Sequence, residues 1–178
     1  MNPIFIPSLL SQCCLLALAS AALSPTAQAG NSVTDGSTLL VTSGYTSSLA
    51  GDYPLLASGG GSLLQTSVPL TFRTSGNNLF AARILDGGEM VLSGAALSTS
   101  GLQASGLDIT AGLATLRGGL IATNGINSSA VAVRGDSQLT LADLALVTNG
   151  NQSVGIDMRG GTSVSYTHLR AHETAANL

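Results

Sequence analysis

The chain has 178 residues; 8% are charged, 44% are hydrophobic, lysine is absent and the net charge is −3. That length gives room for one domain, and hydrophobicity at this level excludes the disordered class despite the scarcity of charge. The balance gives no electrostatic footprint for nucleic acid, and aromatic residues at 3% leave no obvious platform for stacking sugars or bases.

Residues 1–29 read as a secretory signal. Leu15 to Leu23 is an apolar run of suitable length, and Ala27-Gln28-Ala29 supplies a small-x-small cleavage site before Gly30. The run is too short to span a bilayer. No Lys or Arg precedes it, so the only positive charge ahead of it is the α-amine. Both cysteines, Cys13 and Cys14, fall inside this segment, and Gln12 occupies the position where a lipobox needs a small residue. The mature chain is therefore cysteine-free and folds without disulfides in an oxidising compartment.

Residues 30–73 form a less regular lead-in, expected to be an N-terminal cap and first coil. Thr42-Ser43-Gly44 stands 32 residues before Thr74 and suggests a coil with an insertion around Ser58 to Ser62. Solenoids need atypical ends to close off their core.

Residues 74–163 repeat one phrase: Thr74-Ser75-Gly76, Thr99-Ser100-Gly101, Thr123-Asn124-Gly125 and Thr148-Asn149-Gly150, at spacings of 25, 24 and 25. Alignment on the threonine exposes three apolar ladders. The first holds Ala82 and Ile84, Leu107 and Ile109, Val131 and Val133, Ile156 and Met158. The second holds Met90 and Leu92, Ala114 and Leu116, Leu139 and Leu141. The third holds Leu70 and Phe72, Ala95 and Leu97, Gly119 and Ile121, Leu144 and Leu146, with Gly119 the one gap. Within each pair one residue intervenes, the period of a strand rather than a helix. Three such strands per repeat, bounded by Gly, Asn, Asp or Ser, predict an all-β fold, the right-handed parallel β-helix.

Residues 164–178 break the pattern in composition. Residues 164–174 resemble the conceptual translation of a sequencing-library adapter, which implies a non-native tail and a native sequence that stops near Ser163. His168 and His172 lie four apart beside Glu173, a spacing that on a helix would align two metal ligands, but the pair lacks a third ligand and falls in this tail. No metal or cofactor is expected.

Arg134-Gly135-Asp136 is an integrin-type adhesion tripeptide. The register gives a simpler account: Asp86-Gly87-Gly88, Gly112 and Arg159-Gly160-Gly161 occupy the same turn, which calls for glycine at positive φ. Gly135-Asp136-Ser137 also has the outline of an esterase nucleophile block, but it lacks the histidine that such chemistry needs. The acids Asp35, Asp52, Asp86, Glu89, Asp108, Asp136, Asp143 and Asp157 do not converge. Asp108 and Asp157 share a register two coils apart, about 10 Å, and read as solvated outward positions without a basic partner. No catalytic residues are expected.

A leader, a cysteine-free mature chain, few charges and T-[SN]-G coils with pairs such as Gly155-Ile156-Asp157-Met158 resemble the passenger domains of pertactin-like autotransporters, the type V secretion family of Gram-negative bacteria. The resemblance covers residues 30–163. It implies export, passage through the chain's own C-terminal outer-membrane β-barrel, and display at the cell surface or release. An adhesive or structural stalk without catalysis follows, its ligand on a host surface or a neighbouring cell. The alternative is a secreted polysaccharide-active β-helix enzyme whose catalytic coils lie beyond Ser163; converging carboxylates would mark it.

Overall fold

A computed structural model describes residues 30–161, 163–168 and 170–173; Ala27 and Ala29 of the expected cleavage site lie outside the described residues. Every element there is a strand. Chain order gives β1 (Asn31–Val33), β2 (Thr38–Val41), β3 (Tyr45–Ser47), β4 (Leu55–Ser58), β5 (Leu63–Thr66) and β6 (Thr71–Thr74). The repeats follow as β7 (Ala82–Leu85), β8 (Glu89–Ser93), β9 (Ala96–Thr99), β10 (Leu107–Thr110), β11 (Leu113–Arg117) and β12 (Leu120–Thr123). Next come β13 (Val131–Gly135), β14 (Gln138–Ala142) and β15 (Ala145–Thr148), then β16 (Ile156–Gly160), β17 (Ser163–Thr167) and β18 (Arg170–Glu173).

Each strand pairs in parallel with the strand one coil on, giving three six-stranded sheets. Sheet 1 runs β1-β4-β7-β10-β13-β16, sheet 2 β2-β5-β8-β11-β14-β17, and sheet 3 β3-β6-β9-β12-β15-β18. This is the parallel β-helix that the apolar ladders call for. Ile84, Ile109, Val133 and Met158 align across sheet 1, Leu92, Leu116 and Leu141 across sheet 2, and Phe72, Leu97, Ile121 and Leu146 across sheet 3. All are buried except Met158, which is 44% exposed on β16, the last strand of its sheet. Gly119 is a corner residue rather than a gap in the core, with φ at 95° and an exposed surface.

The lead-in differs from the expectation. Residues 31–74 make two full coils, and Ser47 of β3 pairs with Thr74, so Ser47 is the register equivalent of the repeat threonine. Thr42-Ser43-Gly44 instead turns the corner from β2 to β3. Residues 59–62 form a corner between β4 and β5 longer than its counterpart at residues 111–112, and it closes when the Gly36 amide donates to the Ser62 hydroxyl at 2.9 Å. The irregularity lies in corner length, and parallel pairing is unaffected. At the far end, Ser163–Thr167 and Arg170–Glu173 pair with β14 and β15, so the compositional break near Ser163 is not a break in strand register.

The repeated phrase has two physical causes. Its threonines, Thr74, Thr99, Thr123 and Thr148, point inward and are buried. Thr123 donates its hydroxyl to the Ser128 carbonyl at 2.8 Å, and Thr99 donates to that of Ala104. Its glycines answer to close approach between coils. A Cβ on Gly101 would lie 2.5 Å from the carbonyl carbon of Gly76, and one on Gly150 would lie 2.5 Å from that of Gly125.

Positive φ belongs to three other ladders, one at each corner. After sheet 1 stand Gly59, Asp86, Ala111, Gly135 and Gly160; after sheet 2, Gly94, Gly118, Asp143 and His168; after sheet 3, Gly51, Asn78, Gln103, Asn127 and Gln152. The first ladder corrects the expected demand for glycine at that turn. Asp86 and Ala111 hold the left-handed conformation with φ near 52° and 53°, and Gly112 does not. Gly112 is required for space, since a Cβ there would lie 2.8 Å from the Gly88 carbonyl oxygen.

Candidate functional site

Arg83, Asp108, Arg134, Asp157 and Arg159 all stand on strands of sheet 1. Along β10, Leu107 and Ile109 point into the core and Asp108 points out, yet Asp108 is only 2% exposed. Arg83, its register neighbour on β7, brings Nε within 3.3 Å of Oδ2, an ion pair without hydrogen-bond alignment. Arg134, from β13, donates Nη1 to the other carboxylate oxygen. The two stems cover the carboxylate, so Asp108 is neither solvated nor without a basic partner, contrary to the reading from sequence. Burial pushes the Asp108 carboxyl above the usual range, against the opposing pull of Arg134 and Arg83.

Aromatic side chains extend this cluster. The Tyr53 and Phe80 rings stack with centroids 5.9 Å apart, and the Arg83 guanidinium carbon lies 5.1 and 5.2 Å from them. Arg83 also donates to the Tyr53 hydroxyl at 2.7 Å. Such cation–π contacts contribute about 0.5–1 kcal/mol each at exposed sites. A platform therefore exists where composition suggested none, because the stacking brings together residues one coil apart.

Arg134-Gly135-Asp136 ends β13 and turns the corner. Gly135 has φ of 62°, Asp136 is exposed, and the arginine is held by Asp108. The Ser137 hydroxyl is buried and donates to the Arg134 carbonyl at 2.6 Å, which makes it a corner clamp and leaves no accessible nucleophile. Two coils beyond Asp108, Asp157 accepts from Arg159 Nε at 3.1 Å, with Ala132 between them in register.

The other acids are dispersed. Asp52 accepts from the Tyr45 hydroxyl at 2.9 Å and from Ser47 at 2.6 Å, and that bond raises the Tyr45 pKa. Asp35 accepts from the amide and hydroxyl of Ser37. His168 turns the corner after β17, its Nδ1 3.3 Å from Asp143, and His172 lies in β18, so the helical spacing considered for this pair does not apply. Among the described residues no group of three or more metal-binding side chains occurs.

A groove of about 530 Å³ runs along the corner between sheets 3 and 1. One wall carries the carboxamides of Asn78, Gln103, Asn127 and Gln152, one from each of four successive coils. Arg134, Asp157 and Arg159 form the sheet 1 wall, and Phe80 closes one end. Sequence reasoning overlooked these amides, although each stands four residues after a repeat threonine. No family model, curated protein or solved structure significantly matches the chain.

Proposed function

We propose that the chain is a β-helical passenger of the autotransporter type, exported, displayed at the cell surface or released, and serving as an adhesive and structural stalk. In this reading its partner in export is its own C-terminal outer-membrane β-barrel, and residues 30–163 carry no catalytic step. The observation that carries the proposal is the uninterrupted axial stacking of coils of nearly constant length, which makes the molecule a rod with a repeating outer face. The outward charges support it too: Asp108 is neutralised by Arg83 and Arg134, and Asp157 by Arg159, so these groups stiffen the face and do not form an acid–base pair. Coils that touch only their neighbours can fold progressively after passage through a pore, and a cysteine-free mature chain cannot be locked beforehand.

The test is to express the full chain with its leader ahead of a known autotransporter barrel in a Gram-negative host. Added protease should remove the chain from intact cells, and antibody should label them. A folded, protease-protected periplasmic product with unlabelled cells would refute the proposal.

A further inference from the structure

The carboxamide ladder is more uniform than the backbone requires. Asn78, Gln103, Asn127 and Gln152 all have φ between 54° and 56°, a conformation that glycine adopts most easily and glutamine seldom adopts. The other two corners show what that demand alone selects. There the equivalent positions hold Gly, Asp and Ala in one case and Gly, Asp and His in the other. At the sheet 3 to sheet 1 corner the first coil has Gly51, with φ of 78°, and each of the four coils that follow has a carboxamide, two of them on the longer glutamine stem. All four are exposed, and none of their side-chain amides hydrogen-bonds within the described residues. Non-glycine residues held at positive φ gather at functional sites.

We infer that this groove binds an extended, hydroxyl-rich glycan chain lying along the helix axis. Each carboxamide both donates and accepts, as a sugar hydroxyl does, and the ladder repeats at the strand spacing of about 4.8 Å. That rise is close to the advance of one pyranose unit in an extended glycan, and it does not match the advance of an extended peptide, about 3.3 Å per residue. Successive sugars can therefore meet successive coils in phase. Phe80, its ring stacked with Tyr53 and against the Arg83 guanidinium, lines one end, and Arg134 and Arg159 keep N–H donors beyond those given to Asp108 and Asp157. The inference rests on the adhesive reading above for its biological setting only, because the groove belongs to the folded chain wherever that chain resides.

The purified full chain is applied to an array of linear neutral and acidic oligosaccharides, beside the double variant Gln103→Gly, Asn127→Gly. Glycine suits the left-handed positions, so the variant should melt at or above the parent temperature. Its glycan binding should fall by about tenfold or more, the loss of one to two hydrogen bonds. Gln103→Glu then separates the two glycan classes: it weakens acidic chains more than neutral ones. A parent that binds nothing on the array overturns the inference, as does a variant that binds undiminished. A variant that melts well below the parent also overturns it, because the amides would then hold the corner together. A negative array leaves surface display untouched, and failed display leaves glycan binding by the purified chain untouched.

Discussion

Replacing Gly125 by alanine tests the stacking on which the repeat depends. A Cβ there would lie 2.7 Å from the Gly101 carbonyl carbon and 2.6 Å from Ser128 Oγ, and nearer still to the Gly101 oxygen. Real contacts of this kind need more than 3 Å, so the two coils must part locally. The Ser128 hydroxyl cannot simply swing away, since it donates to Gly101 O at 3.0 Å and accepts from the Ala104 amide at 3.0 Å. Beside it, Asn124 N donates to Thr99 O at 3.0 Å and would be stretched by the same movement. Losing two or three such bonds, with the strain of overpacking, costs about 3–5 kcal/mol. In a domain of this size that lowers the melting temperature by roughly 6–20 °C. Gly60→Ala is the control, because a Cβ there meets nothing within 4 Å and its φ lies outside the left-handed range. It should hold or raise stability by about 0.4–1 kcal/mol through the unfolded chain. Thermal unfolding followed by far-UV circular dichroism reads both, and a Gly125→Ala midpoint within 2 °C of the parent would refute the argument.

Ala111→Gly relieves a non-glycine residue at φ 53° and should stabilise the chain by about 1 kcal/mol, read as a higher urea midpoint. Thr74→Val and Thr123→Val should diverge in the same assay: the buried Thr74 hydroxyl has no partner and its loss is neutral or favourable, whereas Thr123 gives up its bond to Ser128 O, at a cost of about 1–2 kcal/mol. Asp108 binds its proton more readily in the folded chain than in the unfolded one, so its contribution to stability is greatest at low pH and is lost as pH rises through the folded pKa. The melting temperature of Asp108→Asn should therefore match the parent near pH 3.5 and gain on it toward pH 7; a variant that loses ground as pH rises would show that the arginine pairs outweigh burial.

The architecture could be read from the sequence because parallel in-register stacking converts a contact in space into a period along the chain. Phe72 lies beside Leu97, Leu97 beside Ile121, and Ile121 beside Leu146, so the repeat is itself the contact list of sheet 3. The first two coils were harder to read because their longer corners, such as residues 59–62, shift the period without disturbing the pairing. The charged cluster was illegible for a related reason. Arg83 and Asp108 are register partners, but Arg134 pairs with Thr110 and reaches Asp108 diagonally, so no single offset brings the three together. Two long stems lying over a short carboxylate bury a residue whose strand position alone marks it as solvent-facing.

Three kinds of repetition coexist in this chain, and they have different causes. Where a coil crosses closely over the one before it, as at Gly101, Gly125 and Gly150, the residue is fixed because a Cβ would enter the neighbouring backbone. Where the chain turns after sheet 1, φ is positive in every coil and the residue varies, so Gly59, Asp86, Ala111, Gly135 and Gly160 share a backbone region and no side-chain chemistry. Where it turns after sheet 3, the conformation is fixed throughout, and after Gly51 of the first coil the chemistry is fixed as well over four successive coils, although glycine satisfies that conformation at lower cost. Packing accounts for the first pattern and backbone geometry for the second. Neither accounts for four unbonded carboxamides in line, and a ligand read coil by coil does.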